Sequence, residues 1–245
     1  MNIGVIFAGG VGTRMHTKER PKQFLEIYSV PIIIHTLRHF EENDEIDCVV
    51  IACVSEWIPY MEALLYKYRI EKVKKIVPGG KTGQLSIYNA LCAAEEIANG
   101  EKSIVLIHDG VRPLINSSLL SENIACVNKY GSAITTGKVK ETILVVNNSN
   151  EIVEIPEREN SRVAKAPQSF WLNDIISTQR KAISEGLDNM IDSCTLMQHY
   201  GFPMHMIDGP YRNIKITTPE DYYTMRALLQ AEEDQQIYTD FQGKE

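Results

Sequence analysis

The sequence lacks the features that mark secreted, membrane-spanning and zinc-binding proteins. Its five cysteines are scattered without a Cys-x-x-Cys pair, and its six histidines show no metal-ligand spacing. Apolar runs stay well below the ~18 residues of a membrane helix. Met1 leads directly into the first predicted strand, so we expect no signal peptide. These absences predict a soluble, cytoplasmic protein with free thiols and no membrane partner.

Acidic residues outnumber basic ones, and three common motifs are missing. The 25 Lys and Arg against 32 Asp and Glu give a net charge of -7, which argues against a nucleic-acid partner. The glycine-rich loop near the N-terminus has no Lys-Ser or Lys-Thr at P-loop spacing, and Met15 occupies the third glycine position of a dinucleotide fingerprint. Without Gly-x-Ser-x-Gly, the sequence gives no sign of a nucleophile-elbow hydrolase.

An apolar run at residues 3–7 predicts a buried strand that ends in a cationic glycine loop. The loop holds three glycines and then four cations: Gly9, Gly10, Gly12, Arg14, Lys18, Arg20 and Lys22. Glycines let backbone N–H groups approach a phosphate closely, and guanidinium and ammonium groups neutralise its charge. A plain tight turn would need the glycines but not the cations. The loop therefore predicts a polyphosphate cradle.

Strand-like and helix-like patterns alternate through the first half of the chain. Strands are predicted at residues 3–7, 46–54, 73–77 and 103–107, and helices at 31–42, 56–68, 84–98 and 117–130, the last capped by Ser117. This order predicts an α/β fold with a mostly parallel sheet and helices on both faces. Ligands in such sheets bind at the carboxyl ends of the strands, where residues 9–12, 79–80 and 108–109 converge.

The pattern changes after residue 131. Two short β-runs, 142–146 and 151–155, are joined by Asn147-Asn148-Ser149-Asn150 and predict a hairpin. The hairpin is either an arm that joins a partner subunit or an antiparallel edge of the main sheet. Helices are predicted at 172–185, 190–200 and 219–233, and short strands at 203–207 and 213–216. With no linker, we expect one domain, residues 1–245, with a β-arm subregion at 138–162.

Three charged residues follow or occupy predicted strands. Asp109, after a buried strand, can hold a divalent cation or a ribose hydroxyl, and Arg112 can reach a phosphate. Lys215 lies within an otherwise apolar run and is a candidate phosphate ligand. The structural alternatives are a loop-capping pair of Asp109 with Arg112 and a lysine that faces solvent.

Motifs in one order along the chain resemble the sugar nucleotidyltransferases, and within them the cytidylyltransferases for 2-C-methyl-D-erythritol 4-phosphate and ribitol 5-phosphate. The motifs are Ala8-Gly9-Gly10-x-Gly12-x-Arg14-Met15, Pro21-Lys22-Gln23-Phe24, Gly79-Gly80, Ser86, His108-Asp109-x-x-Arg112-Pro113, Ala166-Pro167-Gln168-Ser169-Phe170 and Asn213-Ile214-Lys215. The resemblance implies a Rossmann-like nucleotidyltransferase with a projecting β-arm that interlocks two subunits. It also implies CTP and a polyol phosphate as substrates, Mg²⁺, and a CDP-alcohol and pyrophosphate as products.

The resemblance also assigns roles to residues. Those implied to surround the α-phosphate as catalytic groups are Arg14, Lys22 and Lys215. Those implied to bind the nucleotide are Ala8, Gly9, Gly10, Gly12, Gly80, Ser86 and Asp109, with Asp109 also at the metal. Those implied to bind the alcohol phosphate are Arg112, Thr142 and Arg158, the last two from the arm of the same subunit or of its partner.

The sequence departs from the family pattern in three places. Gly83 stands where an arginine is common, Ala166 replaces the threonine of a Thr-Pro-Gln motif, and the arm reads Glu141-Thr142-Ile143-Leu144 without the lysine common in methylerythritol enzymes. The missing arm lysine, together with Ala8-Gly9-Gly10 and Asp192-Ser193-Cys194, resembles the ribitol 5-phosphate group, so we expect D-ribitol 5-phosphate as acceptor. The alternatives are 2-C-methyl-D-erythritol 4-phosphate, a UTP- or GTP-dependent sugar nucleotidyltransferase, and a non-catalytic nucleotide-binding regulatory subunit.

Overall fold

The computed structural model describes residues 1–9 and 20–242, with side chains as far as residue 234. The strands are β1 Asn2–Ala8, β2 Glu26–Ile27, β3 Val30–Pro31, β4 Cys48–Cys53, β5 Val73–Pro78, β6 Ile104–Asp109, β7 Ser132–Lys138, β8 Val145–Val146, β9 Ile152–Glu154, β10 Arg162–Trp171 and β11 Met206–Asp208. The helices are α1 Ile32–Glu42, α2 Ile58–Tyr68, α3 Gly83–Ala98, α4 Ser117–Tyr130, α5 Leu172–Ser184, α6 Ser193–His199 and α7 Pro219–Gln242.

One seven-stranded sheet organises the molecule, in the order β11-β7-β10-β6-β1-β4-β5. β1 lies near its centre and pairs in parallel with β4 and β6, and β4 pairs in parallel with β5. β10 is antiparallel to both of its neighbours, β6 and β7. The α/β, mostly parallel architecture is therefore confirmed, with one antiparallel strand inserted.

Apolar side chains fill both faces of the sheet. Helices α1, α2 and α4 cover one face through residues such as Leu37, Met61 and Leu120. Helices α3, α5 and α6 cover the other, and β4 is buried along its whole length between the two layers. A strand covered on both faces must be apolar throughout, which explains the uninterrupted run Cys-Val-Val-Ile-Ala-Cys. None of the described helices is long and apolar enough to cross a membrane.

A third, smaller cluster fixes helix α7 beside the carboxyl end of the sheet. Met225 of α7 is fully buried and packs in this cluster with Ile216 and Val111. The N-terminus of α7 is held by Asp221, whose Oδ2 accepts hydrogen bonds from the backbone N–H groups of Thr217 and Thr218, both at 2.8 Å. α7 thus anchors the segment that carries Lys215.

The predicted hairpin at residues 142–155 is present as β8 and β9, which pair antiparallel in a sheet of their own. The alternative, an antiparallel edge of the main sheet, is wrong. β7 and β10 pair in the main sheet as far as Lys138 opposite Arg162, so the hairpin emerges beyond the end of that pair. Participation of residues 138–162 in dimerisation stays a prediction.

Several local predictions from the sequence are wrong. The segment 213–216 is not a strand, because it does not pair in a ladder with any of the described strands. The Ile216 N–H donates to the Val111 carbonyl, in the loop after β6, at 2.9 Å. The cap of α4 is Asn116, whose Oδ1 accepts from the Leu119 N–H at 2.9 Å, rather than Ser117. α7 continues to Gln242, beyond the predicted end at residue 233.

Candidate active site

The centre of the candidate site is an ion-paired cluster at the carboxyl end of β6. Asp109 is almost fully buried, and its Oδ2 accepts a hydrogen bond from Arg112 Nε at 2.8 Å. Its Oδ1 lies 2.5 Å from Lys215 Nζ. Two residues implied to bind phosphates are therefore fixed by one carboxylate. The predicted Asp109–Arg112 pair is therefore present, and Lys215 joins it instead of facing solvent alone.

Asp109 stays ionised because of these two cations. Burial by itself would raise the pKa of its carboxyl, but the Lys215 ammonium and the Arg112 guanidinium outweigh burial and hold the pKa at about 2. Behind it, His108 is completely buried and its Nε2–H donates to the Arg112 carbonyl at 3.0 Å. Burial lowers the pKa of His108 to about 4, so its ring is neutral near pH 7.

Hydrogen bonds of Asn213 hold the segment that places Lys215 beside Asp109. The fully buried Asn213 donates from Nδ2 to the Ala166 carbonyl at 2.7 Å, and its own carbonyl accepts from Arg112 Nη1 at 3.1 Å. The segment 213–216 is thereby tied to β10 on one side and to the loop after β6 on the other. An irregular segment can direct its lysine inward in this way because no ladder fixes an alternation of side chains.

A glycine-rich junction borders the cluster on one side. Ser86 Oγ accepts from the Gly80 N–H at 3.0 Å and donates to the Thr82 carbonyl at 2.9 Å. A Cβ at Gly9 would lie only 2.9 Å from Ser86 Oγ, and one at Gly79 would lie 3.4 Å from the Gly9 Cα. The chain therefore needs glycines here for β1, the turn after β5 and helix α3 to meet.

This junction lines a cavity of about 340 Å³, here called the glycine cavity. Its walls include Ala8, Gly9, Lys22, Gly80, Ser86, Asp109 and Lys215. Lys22 begins a short 3-10 turn that is held in place by its neighbour, because Gln23 Nε2 donates to the Ala8 carbonyl at 2.6 Å. The structure thus brings together most of the described residues predicted to bind the nucleotide and its phosphates.

A second cavity of about 220 Å³, here called the glutamine cavity, adjoins the first at Phe7, Gly83, Asp109 and Lys215. Its wall also contains Arg112, Lys165, Gln84, Gln168, Gln179 and Asp192. All three amides are buried and hydrogen-bonded: Gln84 Nε2 donates to Gln179 Oε1 at 3.1 Å, and Gln168 Nε2 donates to Asp192 Oδ2 at 3.0 Å. The two cavities meet at the Asp109 cluster.

Some predicted residues lie apart from the cavities or outside the described residues. Arg158 Nη2 donates to Thr142 Oγ1 at 3.1 Å, so the two arm residues contact each other, but neither lines the glycine cavity or the glutamine cavity. Gly10, Gly12 and Arg14 fall within residues 10–19 and lie outside the described residues. Their roles stay predictions.

Sequence reasoning missed several residues of the site. Lys165 and Asp192 line the glutamine cavity, but neither was selected as a binding residue from the sequence. Gln168 and Asn213 were seen within motifs without a role. The available signal was the string Ala164-Lys165-Ala166-Pro167-Gln168, a lysine beside a proline-containing motif. Its placement depends on β10, a strand that the sequence pattern did not reveal.

The comparisons with known proteins agree with this geometry. The chain matches the family model described as IspD, 2-C-methyl-D-erythritol 4-phosphate cytidylyltransferase, over residues 3–231. The chain therefore belongs to this family of cytidylyltransferases. The family resemblance and the enzyme class predicted from the motifs are confirmed.

Individual relatives divide between two acceptors. The chain is 53% identical over 238 residues to a ribitol-5-phosphate cytidylyltransferase of Streptococcus agalactiae serotype III (strain NEM316), covering 97% of this chain and 99% of the relative. It is 35% identical over 229 residues to a 2-C-methyl-D-erythritol 4-phosphate cytidylyltransferase of Clostridium botulinum (strain Langeland), covering 94% and 97%. The crystal structure of 4-diphosphocytidyl-2C-methyl-D-erythritol synthase from Anaerococcus prevotii DSM 20548 is similar with a TM-score of 0.81 at 25% identity, covering 94% of this chain and 96% of that chain.

Proposed function

We propose that this protein transfers CMP from CTP to D-ribitol 5-phosphate and releases CDP-ribitol and pyrophosphate. The observation that carries the proposal is the pair of adjoining cavities that meet at Asp109 and Lys215. CTP occupies the glycine cavity and the polyol phosphate occupies the glutamine cavity. The acceptor phosphate and the α-phosphate then face each other across a cluster of fixed cations.

The choice of ribitol rests on two observations. The relative named for ribitol 5-phosphate is 53% identical, whereas the relative named for 2-C-methyl-D-erythritol 4-phosphate is 35% identical. The arm also lacks the lysine common in the methylerythritol enzymes, because Leu144 stands at that position. The methylerythritol phosphate remains the alternative acceptor, supported by the description of the family model.

The chemistry explains why this site is built from cations. An oxygen of the acceptor phosphate forms the new bond to the α-phosphorus of CTP, while the bond from that phosphorus to the bridging oxygen breaks and pyrophosphate leaves. The attacking phosphate is already ionised near pH 7, so no general base is required. The barrier comes from repulsion between anions and from charge that grows at the α-phosphorus, which positioned cations lower.

The described cations that the motifs single out have distinct places in this scheme. Lys22, in the wall of the glycine cavity, binds the nucleotide phosphates. Lys215 lines both cavities and bridges the two reacting phosphates. Arg112 faces only the glutamine cavity and binds the acceptor phosphate. Asp109 neutralises part of this charge and orients Arg112 and Lys215. We further propose that Arg14 joins them at the α-phosphate.

We also propose that Mg²⁺ binds together with CTP. In the described residues no group of three His, Cys, Asp or Glu side chains is placed to hold a metal ion. Mg²⁺ commonly takes one or two protein carboxylates and completes its shell with substrate phosphates and water. The ionised Asp109 fits that limited role. The ion would supply positive charge to the nucleotide phosphates.

We also propose that two subunits pair through the β-arm. Apolar side chains of the arm and its base are more than a third exposed: Leu144, Val145, Val146, Ile152, Val153, Ile155 and Val163. A two-stranded hairpin with this much exposed apolar surface is marginal alone, and a partner subunit would cover it. Thr142 and Arg158, which contact each other on the arm, would then reach the acceptor phosphate in the partner's site.

A pyrophosphate-release assay tests the proposed reaction. With CTP and Mg²⁺, D-ribitol 5-phosphate should give a kcat/KM at least about tenfold above that of 2-C-methyl-D-erythritol 4-phosphate. A higher kcat/KM with 2-C-methyl-D-erythritol 4-phosphate would make that compound the acceptor, and the type of reaction would be unchanged. Absence of release with both would revive the regulatory-subunit alternative.

A thermal-shift panel with CTP, UTP, GTP and ATP tests the nucleotide. We expect CTP to raise Tm most, because a ligand that binds the folded state stabilises it by mass action. An equal shift with UTP or GTP would favour a different nucleotidyltransferase. The same panel repeated with EDTA shows whether Mg²⁺ accompanies CTP into the site.

A further inference from the structure

Among the described residues, Lys165 is the cation of the glutamine cavity without a carboxylate partner. Arg112 and Lys215, in the same wall, both pair with Asp109. Lys165 Nζ instead contacts the carbonyl oxygens of Tyr211 at 3.2 Å and Pro210 at 3.5 Å. Within the described residues its ammonium forms no ion pair.

The other carboxylate of this cavity is already engaged. Asp192 Oδ1 caps helix α6 by accepting from the Thr195 N–H at 2.8 Å, and its Oδ2 accepts from Gln168. Three cations therefore share a cavity with one capping carboxylate and one carboxylate that is already divided between two of them. The cavity holds an excess of positive charge, which an anion would neutralise.

The chain makes room for Lys165 to lie along this wall. A Cβ at Gly137 would lie 2.7 Å from Lys165 Cε, so the glycine of β7 provides the space for the lysine stem. Burial and the neighbouring Arg112 lower the pKa of Lys165 from its usual value, as expected for a half-buried ammonium without an anion. A half-buried cation that faces a cavity with carbonyl oxygens as its hydrogen-bond partners gains further stabilisation when a ligand anion binds beside it.

We propose that Lys165 is a further substrate-binding residue, which contacts the phosphate of the acceptor bound in its own subunit. This inference takes the identity of the acceptor from the proposed function. The binding of a phosphate beside Lys165 does not depend on which acceptor carries it. Lys165 lines the glutamine cavity and not the glycine cavity, so its anion is the acceptor rather than the nucleotide. With Arg112, it clamps the phosphomonoester while Lys215 faces both reactants.

Steady-state kinetics of Lys165→Met test this role. We expect the KM for D-ribitol 5-phosphate to rise by about tenfold or more, because a charge-assisted contact to phosphate is lost, while the KM for CTP stays within about twofold. Lys165→Arg, which keeps the charge, should recover part of the acceptor affinity. The matched control is Lys140→Met, because Lys140 stacks on the same Tyr211 ring at 3.5 Å but lines neither cavity.

A purely structural role for Lys165 gives a different result. If the lysine only holds the carbonyls of Pro210 and Tyr211, its loss displaces the following segment with Lys215. In that case kcat falls and the KM for CTP rises, with Lys165→Arg no better than Lys165→Met. Such a pattern, or an unchanged acceptor KM, would overturn the proposal.

A second measurement separates this inference from the choice of acceptor. Inorganic phosphate is titrated into CTP-saturated protein without acceptor, and binding is followed by ³¹P NMR. We expect phosphate binding to weaken by about fivefold or more in Lys165→Met and to persist in Lys140→Met. If the wild-type protein does not use D-ribitol 5-phosphate, the proposed acceptor is wrong. The phosphate titration still tests the role of Lys165, because it does not use that acceptor. Equal phosphate affinity in both variants would refute it.

Discussion

Lys215 differs from the surface lysines in that its ammonium faces a buried carboxylate at the junction of two cavities. We predict that Lys215→Met lowers kcat by about 10²–10³-fold, the usual loss on removing a fixed charge that stabilises a transition state. The control is Lys75→Met, which removes an exposed ion pair with Glu96 and should leave the rate unchanged. Pyrophosphate release under saturating CTP measures both. A kcat near wild type would remove Lys215 from the mechanism.

His108, which lines neither cavity, makes the stability of the protein depend on pH. Its pKa is about 4 in the folded state against 6.5 for an unperturbed histidine, chiefly because of burial. As pH falls from 6.5 towards 4, the unfolded chain binds a proton that the folded chain excludes, so the free energy of unfolding decreases. The full loss for this group is roughly 3 kcal/mol.

Urea unfolding at pH 7 and pH 4.5 tests this prediction. His108→Gln keeps an N–H donor for the Arg112 carbonyl, and its unfolding free energy should fall by roughly 2 kcal/mol less than that of the wild type between the two pH values. The variant must be compared with the wild type because burial also lowers the pKa of His35 and His39, which contribute to the pH dependence of both proteins. His199→Gln, at an exposed position, should follow the wild-type curve. Parallel curves for wild type and His108→Gln would contradict the prediction.

The identities of the charged residues could be predicted from the sequence, but their partners could not. Asp109 and Arg112 follow an apolar strand, and Lys215 interrupts an apolar run, so each stood out by pattern. Their convergence depends on Asn213, which ties two distant segments through the Arg112 guanidinium and the Ala166 carbonyl. These contacts join residues about a hundred and about fifty positions apart, beyond the range of any periodicity.

At the level of the elements, the turn after β5 fixes the start of helix α3. A Cβ at Gly80 would lie 2.4 Å from Leu85 Cβ and 2.8 Å from its carbonyl carbon. The first turn of α3 cannot yield easily, because the Leu85 N–H donates to Thr82 Oγ1 and Ser86 Oγ accepts from Gly80. Gly80→Ala must therefore displace the turn that lines the glycine cavity.

We predict that Gly80→Ala lowers stability by about 1–3 kcal/mol, as overpacking usually does, and reduces the Tm increase produced by CTP. Differential scanning fluorimetry with and without CTP measures both effects. Gly83→Ala is the matched control for stability, because a Cβ there meets nothing within 4 Å and alanine favours a helix more than glycine does. Its Tm should not fall below that of the wild type. Equal Tm values for both variants would argue against the steric account.

Elements with uniform patterns were predictable, and those with mixed patterns were not. β4 and β6 read as strands because both faces are covered, and the pattern placed them within a few residues of their ends. β10 escaped because a proline and a register shift between Ala164 and Gln168 interrupt its alternation. β7 escaped because it is rich in Ser, Thr and Gly. Both strands are fixed by pairing with their neighbours in the main sheet, and the local sequence pattern does not show this pairing.

At the scale of the whole molecule, our proposal combines residues of two subunits in each site. The cavities and their cations belong to one chain, whereas the Arg158–Thr142 pair lies on an arm that reaches beyond the main sheet. The sequence predicted the hairpin from its two β-runs and turn, but it left the arm and edge alternatives open. The structure favours a separate hairpin, because β8 and β9 pair with each other in a two-stranded sheet of their own.

Mixed dimers test whether Arg158 acts across the subunit interface. Arg158→Ala and Lys215→Ala should each be inactive as homodimers. In a mixed dimer, one site would carry both defects, and the other would combine the intact Lys215 of one subunit with the intact Arg158 of its partner. Co-expression in equal amounts should therefore restore about one quarter of the wild-type rate in a closed twofold dimer. If Arg158 serves its own subunit, every site in the mixture lacks one residue, and the pyrophosphate-release rate stays at the level of the homodimers.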